Sequence, residues 1–199
     1  METYSLQEIN VMLCSFLEKR LSEMGELPGG LYNYYIQRLA TKEILSKEDE
    51  MVVDYIRKKE SNEVNILEVG GGIGQLGHFL YLLGYCNISI CEHDCRRYDA
   101  CIALGKMLES GASILKQTFP ECYRQFYDLV LIVNIVGSFN NLKNDLSFFK
   151  KILNVSKILF FPTLYDGKIA YQEALFLFEK NGITYKVVGN GLVLLEGLV

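Results

Sequence analysis

Five glycines fall within positions 70–77 of the stretch I-L-E-V-G-G-G-I-G-Q-L-G-H-F-L, Ile66 to Leu80. An apolar run precedes them and a helix-like run follows, so the segment reads as strand, tight turn and helix. Glycine weakens both helices and strands. Its density at a strand–helix junction points to a backbone that must turn sharply and come close to a polar ligand.

What surrounds this junction fixes the kind of sheet it belongs to. Upstream, Leu6, Ile9, Leu13, Phe16 and Leu17 recur at helical spacing in a run that ends near Gly25. E-L-P-G-G (26–30) breaks the chain, and Leu31–Ile44 resumes a helix rich in Tyr. Ser46 with Asp49 three residues on predicts a capping box that opens a helix running to about Glu60. Strand and helix then alternate. Strands are predicted at Val64–Val69, Asn87–Glu92, Ala112–Leu115, Asp128–Val136 and Lys157–Thr163, with helices at Ile73–Leu83, Cys95–Ser110, Leu142–Leu153 and Ile169–Lys180. Such alternation implies a parallel sheet with helices on both faces. The end differs: Ile183–Val188 and Leu192–Glu196 flank Gly-Asn-Gly (189–191), which predicts an antiparallel hairpin.

With 199 residues, half of them hydrophobic and 22% charged, the chain suits one folded domain with a full core. Residues 1–60 are assigned to an N-terminal helical cap and 61–199 to the sheet-bearing core. The formal charge of −4 offers a phosphate backbone no general attraction, so nucleic acid is not an expected partner and a small-molecule substrate is favoured. METYSLQEIN has neither the basic nor the apolar part of a secretion signal, and no apolar run is long enough to span a bilayer, so a cytoplasmic location is expected and no membrane association. The oligomeric state is left open. Cys91, His93, Cys95 and Cys101 offer zinc-binding atoms, but their spacing fits none of the usual frameworks, and no metal is expected.

Two cofactor fingerprints overlap in the glycine stretch. From Glu68 it reads E-x-G-x-G-x-G, through Gly70, Gly72 and Gly74; from Gly72 it reads G-x-G-x-x-G, through Gly74 and Gly77. The second is a dinucleotide motif, in which the first glycine directly follows the strand so that a pyrophosphate sits on the helix end. Here Gly72 comes two residues late, and a carboxylate stands at the strand end. Glu68 would repel a pyrophosphate and suit the cationic amino group of a methionine moiety.

Four segments in order carry a resemblance to a known family: E-V-G-G-G-I-G (Glu68–Gly74), I-S-I-C-E ending at Glu92, F-Y-D-L-V-L-I-V (Phe126–Val133) and the terminal hairpin. Over roughly residues 50–199 the chain resembles the class I, Rossmann-like S-adenosylmethionine-dependent methyltransferases. The resemblance implies a seven-stranded, mostly parallel sheet of order 3-2-1-4-5-7-6, with strand 7 antiparallel and the N-terminal helices as a lid over its carboxyl edge. It implies S-adenosyl-L-methionine as cofactor, Glu92 at the ribose hydroxyls, His93 flanking the adenine and Asn134 near the methionine moiety.

The chain also departs from the family. Lys116 or Gln117 stands where an adenine-side Asp is common; Gln117 is taken as the residue that bonds the adenine edge. An Asn-Pro-Pro-Tyr motif is absent, its place being held by V-N-I-V-G-S-F-N. No catalytic base is assigned; Tyr34, Asn134, Tyr165 and Asp166 lie near the expected carboxyl edge, and Tyr32, Tyr34, Tyr35 and Tyr165 are candidate substrate contacts. Gly77 is placed inside the helix, where it matters only for helix–sheet packing, and Gly77→Ala is expected to leave S-adenosylhomocysteine binding within a few-fold. Structural roles stand beside these. Glu68 could cap its own loop, Glu92 could pair with Arg96 or Arg97, His93 could be solvated, Asn134 could bond a loop, and Asp166 could cap a helix. An NAD(P)-dependent oxidoreductase, a non-catalytic cofactor-binding protein and transfer of the aminocarboxypropyl arm remain the alternatives to methyl transfer.

Overall fold

The computed structural model describes residues 5–24, 31–123, 126–133 and 135–198, with backbone alone for 6, 21–24 and 31–34. Seven strands form one sheet: β1 (Ile66–Val69), β2 (Ile88–Cys91), β3 (Ser113–Leu115), β4 (Leu129–Ile132), β5 (Lys157–Phe160), β6 (Ile183–Val187) and β7 (Val193–Leu198). Their order is β3-β2-β1-β4-β5-β7-β6. β1 pairs parallel with β2 and β4, as do β2 with β3 and β4 with β5, while β7 runs antiparallel to both β5 and β6. This is the seven-stranded arrangement expected from the alternation and the terminal hairpin.

Two-residue periodicity divides the core. Ile66, Ile90, Leu129, Leu131 and Leu159 turn to one face, where helices α1 (Leu6–Met24), α3 (Lys47–Lys59), α4 (Gln75–Leu82) and α5 (Cys95–Met107) cover them. Leu67, Val69, Val130, Ile132, Ile158 and Phe160 turn to the other, beneath α6 (Ser138–Asn144), α7 (Leu146–Leu153) and α8 (Tyr171–Lys180). The central strands β1 and β4 are buried on both faces, which explains the unbroken apolar sequence of β4 and leaves Glu68 as the one charged residue of β1.

The N-terminal helices divide their duties. α1 sends Ile9 and Leu13 into the first core, and α2 (Leu31–Thr41) reaches the carboxyl edge of the sheet through Tyr35. Asn10 of α1 ties the end of α2 down, accepting from Ile44 N–H at 2.9 Å and donating to the Lys42 carbonyl. α3 opens on the predicted capping box: Ser46 N–H donates to Asp49 Oδ2 (2.9 Å), and Asp49 N–H to Ser46 Oγ (3.0 Å). Among the described residues no helix is long and apolar enough to cross a membrane.

Several boundaries differ from the sequence expectation for local reasons. β5 stops at Phe160 rather than Thr163, because Pro162 has no N–H to give a ladder. α5 stops at Met107 rather than Ser110; Glu109 takes the left-handed conformation (φ 52°) and Ser110 N–H returns to the Gly105 carbonyl. The expected helix Leu142–Leu153 is two helices, α6 starting at Ser138 and α7 starting at Leu146, with non-helical Asp145 between them (φ −131°, ψ 46°). That break lets both Leu142 and the Phe149–Ile152 face reach the core.

Candidate cofactor cleft

β1 ends at Val69 and the glycines carry the chain to α4. Gly70, Gly72 and Gly74 all have positive φ (64°, 62° and 78°), a backbone that side chains rarely adopt. Gly77 is needed for a different reason. It lies in α4 where the helix crosses the sheet, and a Cβ there would come 2.5 Å from Ile90 Cγ1 and 2.6 Å from Glu68 Oε2. This is the helix–sheet packing role expected of Gly77: helix propensity favours Ala, and the crowding against Ile90 and Glu68 opposes it.

Glu68 is 7% exposed, and its Oε2 accepts Gly77 N–H at 2.9 Å. Burial, and after it the charge of Asp49, push its pKa well above the ordinary carboxylate range, against the lowering effect of the Gly77 bond. Asp49 is 2% exposed and is raised to about 6, chiefly by burial. Both carboxylates line a cavity of about 440 Å³ with Tyr35, Arg38, Gly70–Gly72, Gln75 and Arg97. Tyr35 O–H donates to Gln75 Oε1 at 3.1 Å, joining α2 to the first residue of α4.

Gly70 also borders a second cavity, of about 400 Å³, on the other side of the loop. His93, Gln117 and Cys91 line it together with apolar Ile132, Ile135 and Phe148. Cys91 S–H donates to the Gln117 carbonyl at 3.1 Å and holds that strand end in place. The two cavities lie at the carboxyl ends of β1 and β4, where parallel sheets bind ligands. A larger hollow of about 1210 Å³, lined by Glu8, Lys47, Met51, Arg57 and Tyr85, contains no residue of the glycine loop.

Glu92 directly follows β2 and is 1% exposed. Its Oε2 accepts Gly72 N–H (3.0 Å) and its Oε1 accepts Asp94 N–H (2.8 Å), with Arg97 Nη2 at 3.6 Å. The carboxylate thus braces the glycine loop from beneath and lines neither cavity. His93 is exposed, its Nδ1 3.4 Å from Glu92 Oε1. Gly74 begins α4 in the left-handed conformation, packed on Cys101 and His78 away from the cavities. Cys91 and Cys101 belong to opposite core clusters, and among the described residues no group of three His, Cys, Asp or Glu could hold a metal.

Of the candidate tyrosines, Tyr35 is buried at the first cavity, and Tyr165 is 63% exposed and does not line it, although Thr163, Gly167 and Ile169 around it in sequence do. Asn134 and the side chains of Tyr32 and Tyr34 lie outside the described residues. Asp166 does not cap α8; its Oδ1 accepts Lys168 N–H (3.1 Å), and Lys168 Nζ sits 2.8 Å from its Oδ2. Arg38, Asp49, Gln75 and Arg97 were not singled out from the sequence as site residues. Asp49 read there as a capping residue, and only the fold brings it to the same cavity as Gln75 and Glu68.

No known family profile matches the chain, and no curated protein does. Solved structures do. The 16S rRNA methylase RmtB aligns over 100% of this chain and 77% of its own, at 15% identity and TM-score 0.55. A protein of the NADB-Rossmann superfamily from Streptococcus agalactiae covers 78% of this chain and 70% of its own, at 19% identity and TM-score 0.58. An rRNA methylase from Streptococcus thermophilus covers 78% of this chain and 99% of its own, at 15% identity and TM-score 0.52. The chain therefore has the Rossmann-like fold of the class I methyltransferases. These neighbours also overturn the expectation of a small-molecule substrate and no nucleic acid: the same fold serves proteins described as rRNA methylases. Net charge sums the whole surface and does not describe a cleft mouth.

Proposed function

We propose that the chain is an S-adenosylmethionine-dependent methyltransferase. The observation that carries this is Glu68, a buried carboxylate at the end of β1 facing the cavity beside the glycine loop. Burial and a neighbouring acid disfavour its charge, so a cationic partner gains most from meeting it. The ammonium of a methionine moiety is such a partner. A pyrophosphate is the opposite, which argues against a dinucleotide.

The residues present fit the whole cofactor. Gly70 borders both cavities, one acidic and one with apolar walls and the Gln117 amide. In this reading Glu68 holds the ammonium, Gln117 and His93 flank the adenine, and Asn134 lies toward the methionine half. Glu92, which the resemblance places at the ribose, instead acts from beneath the loop by fixing Gly72. Bound S-adenosylmethionine supplies an activated methyl on a sulfonium centre. This chain's own residues orient it and, through Tyr35 and α2, shield it from water, since alignment alone is worth up to roughly 7–11 kcal/mol. Because rRNA methylases share the fold, a nucleic acid acceptor belongs to this reading.

A thermal-shift panel of S-adenosylmethionine, S-adenosylhomocysteine, NAD and NADP tests it. Ligand at a hundred times its Kd stabilises by about 2.7 kcal/mol, and a chain of this size gains about 2–4 °C per kcal/mol. The adenosyl ligands should therefore raise Tm by about 5–10 °C and the dinucleotides should not. A rise with NAD or NADP alone would return the chain to the oxidoreductase reading.

A further inference from the structure

Residues 163–169, after β5, form a closed finger. Thr163 and Ile169 make an antiparallel bridge, Leu164 N–H donates to the Lys168 carbonyl (2.8 Å) and Gly167 N–H to the Leu164 carbonyl (2.9 Å). The base of the finger is tied to α6 by Phe139 N–H donating to the Thr163 carbonyl (2.9 Å) and Gly137 N–H to the Leu164 carbonyl (3.1 Å). Its tip carries Tyr165. The tyrosine N–H donates to Asn140 Oδ1 (3.0 Å) and its O–H to Asn141 Oδ1 (3.1 Å), so the ring is held at both ends. One side of that ring packs on Gly137, where a Cβ would come 2.3 Å from Tyr165 Cδ1, and the residue still remains 63% exposed.

A large aromatic side chain, pinned but exposed, is costly to leave in water and gains most from a flat partner on its open face. The finger borders the cleft itself: Thr163, Gly167 and Ile169 line the same cavity as Glu68, as does Val136. Val136 and Ile169 are 62% and 57% exposed, which gives the mouth an apolar rim beside the ring. The carboxamide oxygens of Asn140 and Asn141 each accept from Tyr165, so their NH2 groups sit beside the anchored ring. Lys168 is 78% exposed, and its pair with Asp166 is a surface pair of small net value, exchangeable for another anion.

We propose that the Tyr165 finger is a stacking platform that presents a nucleobase of a single-stranded nucleic acid to the cleft. A nucleobase satisfies each feature at once: a π-face for the ring, acceptor atoms along its edge for the Asn NH2 groups, and an adjoining phosphate for Lys168. An apolar peptide side chain would use only the ring. This inference rests on the methyl-transfer reading and supplies its acceptor class.

The test is fluorescence anisotropy of the full chain, loaded with S-adenosylhomocysteine, against a fluorescein-labelled random 12-mer of single-stranded RNA at fixed salt. The same 12-mer as DNA and as an abasic ribose-phosphate strand are the comparison probes; the RNA and DNA arms tell which strand supplies the base. Base–aromatic stacking predicts that Tyr165→Ala weakens binding of the base-bearing strand by roughly 5- to 150-fold, while Tyr165→Phe, which keeps the ring, stays within about threefold. The abasic strand should bind wild type about as weakly as the 12-mer binds Tyr165→Ala. Calorimetry with S-adenosylhomocysteine should give the same affinity for all three proteins, which also shows that the variants are folded. Equal binding by Tyr165→Ala and wild type, equal binding of the abasic strand, or no binding of either 12-mer by a protein that takes up S-adenosylhomocysteine normally would each overturn the platform and leave the cofactor reading standing. Methyl transfer to protein alone in a cell extract would overturn it as well. Failure of wild type to bind S-adenosylhomocysteine would instead sink the methyl-transfer reading, and this inference with it.

Discussion

Gly77→Ala opposes two effects whose sizes can be set against each other. In an exposed helix the change would stabilise by up to about 1 kcal/mol. Here the new Cβ would stand 2.5 Å from Ile90 Cγ1, 2.7 Å from Ile90 Cδ1 and 2.6 Å from Glu68 Oε2. Ile90 is fully buried in β2 and cannot swing into solvent, so α4 must lift or the isoleucine must leave its rotamer. Overpacking of this kind costs about 1–3 kcal/mol. With the full propensity gain set against it, the net is a loss of up to about 2 kcal/mol, or a Tm lowered by up to about 8 °C at this chain length. Glu68 must move as well, because the methyl takes the space of the oxygen that accepts Gly77 N–H at 2.9 Å. Moving it misplaces the carboxylate proposed for the cofactor ammonium, and a charge-assisted bond is worth about 1.5–3 kcal/mol, so S-adenosylhomocysteine affinity should fall at least about tenfold. Differential scanning calorimetry and titration calorimetry read the two effects separately. In an Ile90→Ala background the stability cost should shrink by about 0.5 kcal/mol or more, as expected for residues in direct contact. A Gly77→Ala protein with unchanged or higher Tm and unchanged affinity would refute the packing argument.

Gly72→Val forces a β-branched residue to φ 62° and directs its Cβ to 3.3 Å from the Tyr35 hydroxyl, so a protein shown to be folded by circular dichroism should lose measurable S-adenosylhomocysteine binding; normal binding would remove the loop from the cofactor site. Glu92→Ala should weaken the same ligand roughly tenfold to a hundredfold by releasing Gly72 N–H, and calorimetry showing no change would reduce Glu92 to its pair with Arg97. Asp49 is raised from 3.8 to about 6 in the fold, so folding favours its protonated form: the stability it contributes is complete below about pH 4 and is lost as the pH rises through about 6, roughly 3 kcal/mol at most. Asp49→Asn, which keeps an acceptor for Ser46 N–H, should flatten the fall in Tm between pH 4.5 and 7, within about that range; an unchanged slope would show that Asp49 does not carry it.

What was legible in the sequence was whatever local physics decides. The strand alternation, the terminal hairpin and the Ser46–Asp49 cap depend on periodicity and near-neighbour chemistry, and the structure has all three. The glycine turn was legible as well, and so was a capping role for Glu68, whose Oε2 accepts Gly77 N–H. What stayed hidden depends on contacts between elements far apart in sequence. A packing role for Gly77 was legible, but not its particular obstacle, Ile90, thirteen residues on and in β2. Asp49 looked like a cap because it is one; that it is also a second acid in the cleft follows only from the fold, which sets it on the same cavity as Glu68. Glu92 shows the same limit from the other side. Its position after β2 was readable, but its two oxygens are taken up by the N–H groups of Gly72 and Asp94. Glu92 holds Gly72 at one end of the turn and Glu68 holds Gly77 at the other, so the two carboxylates are joined through the segment from Gly72 to Gly77. Loss of either should then perturb both halves of the cleft, a coupling that neither fingerprint in the sequence contains.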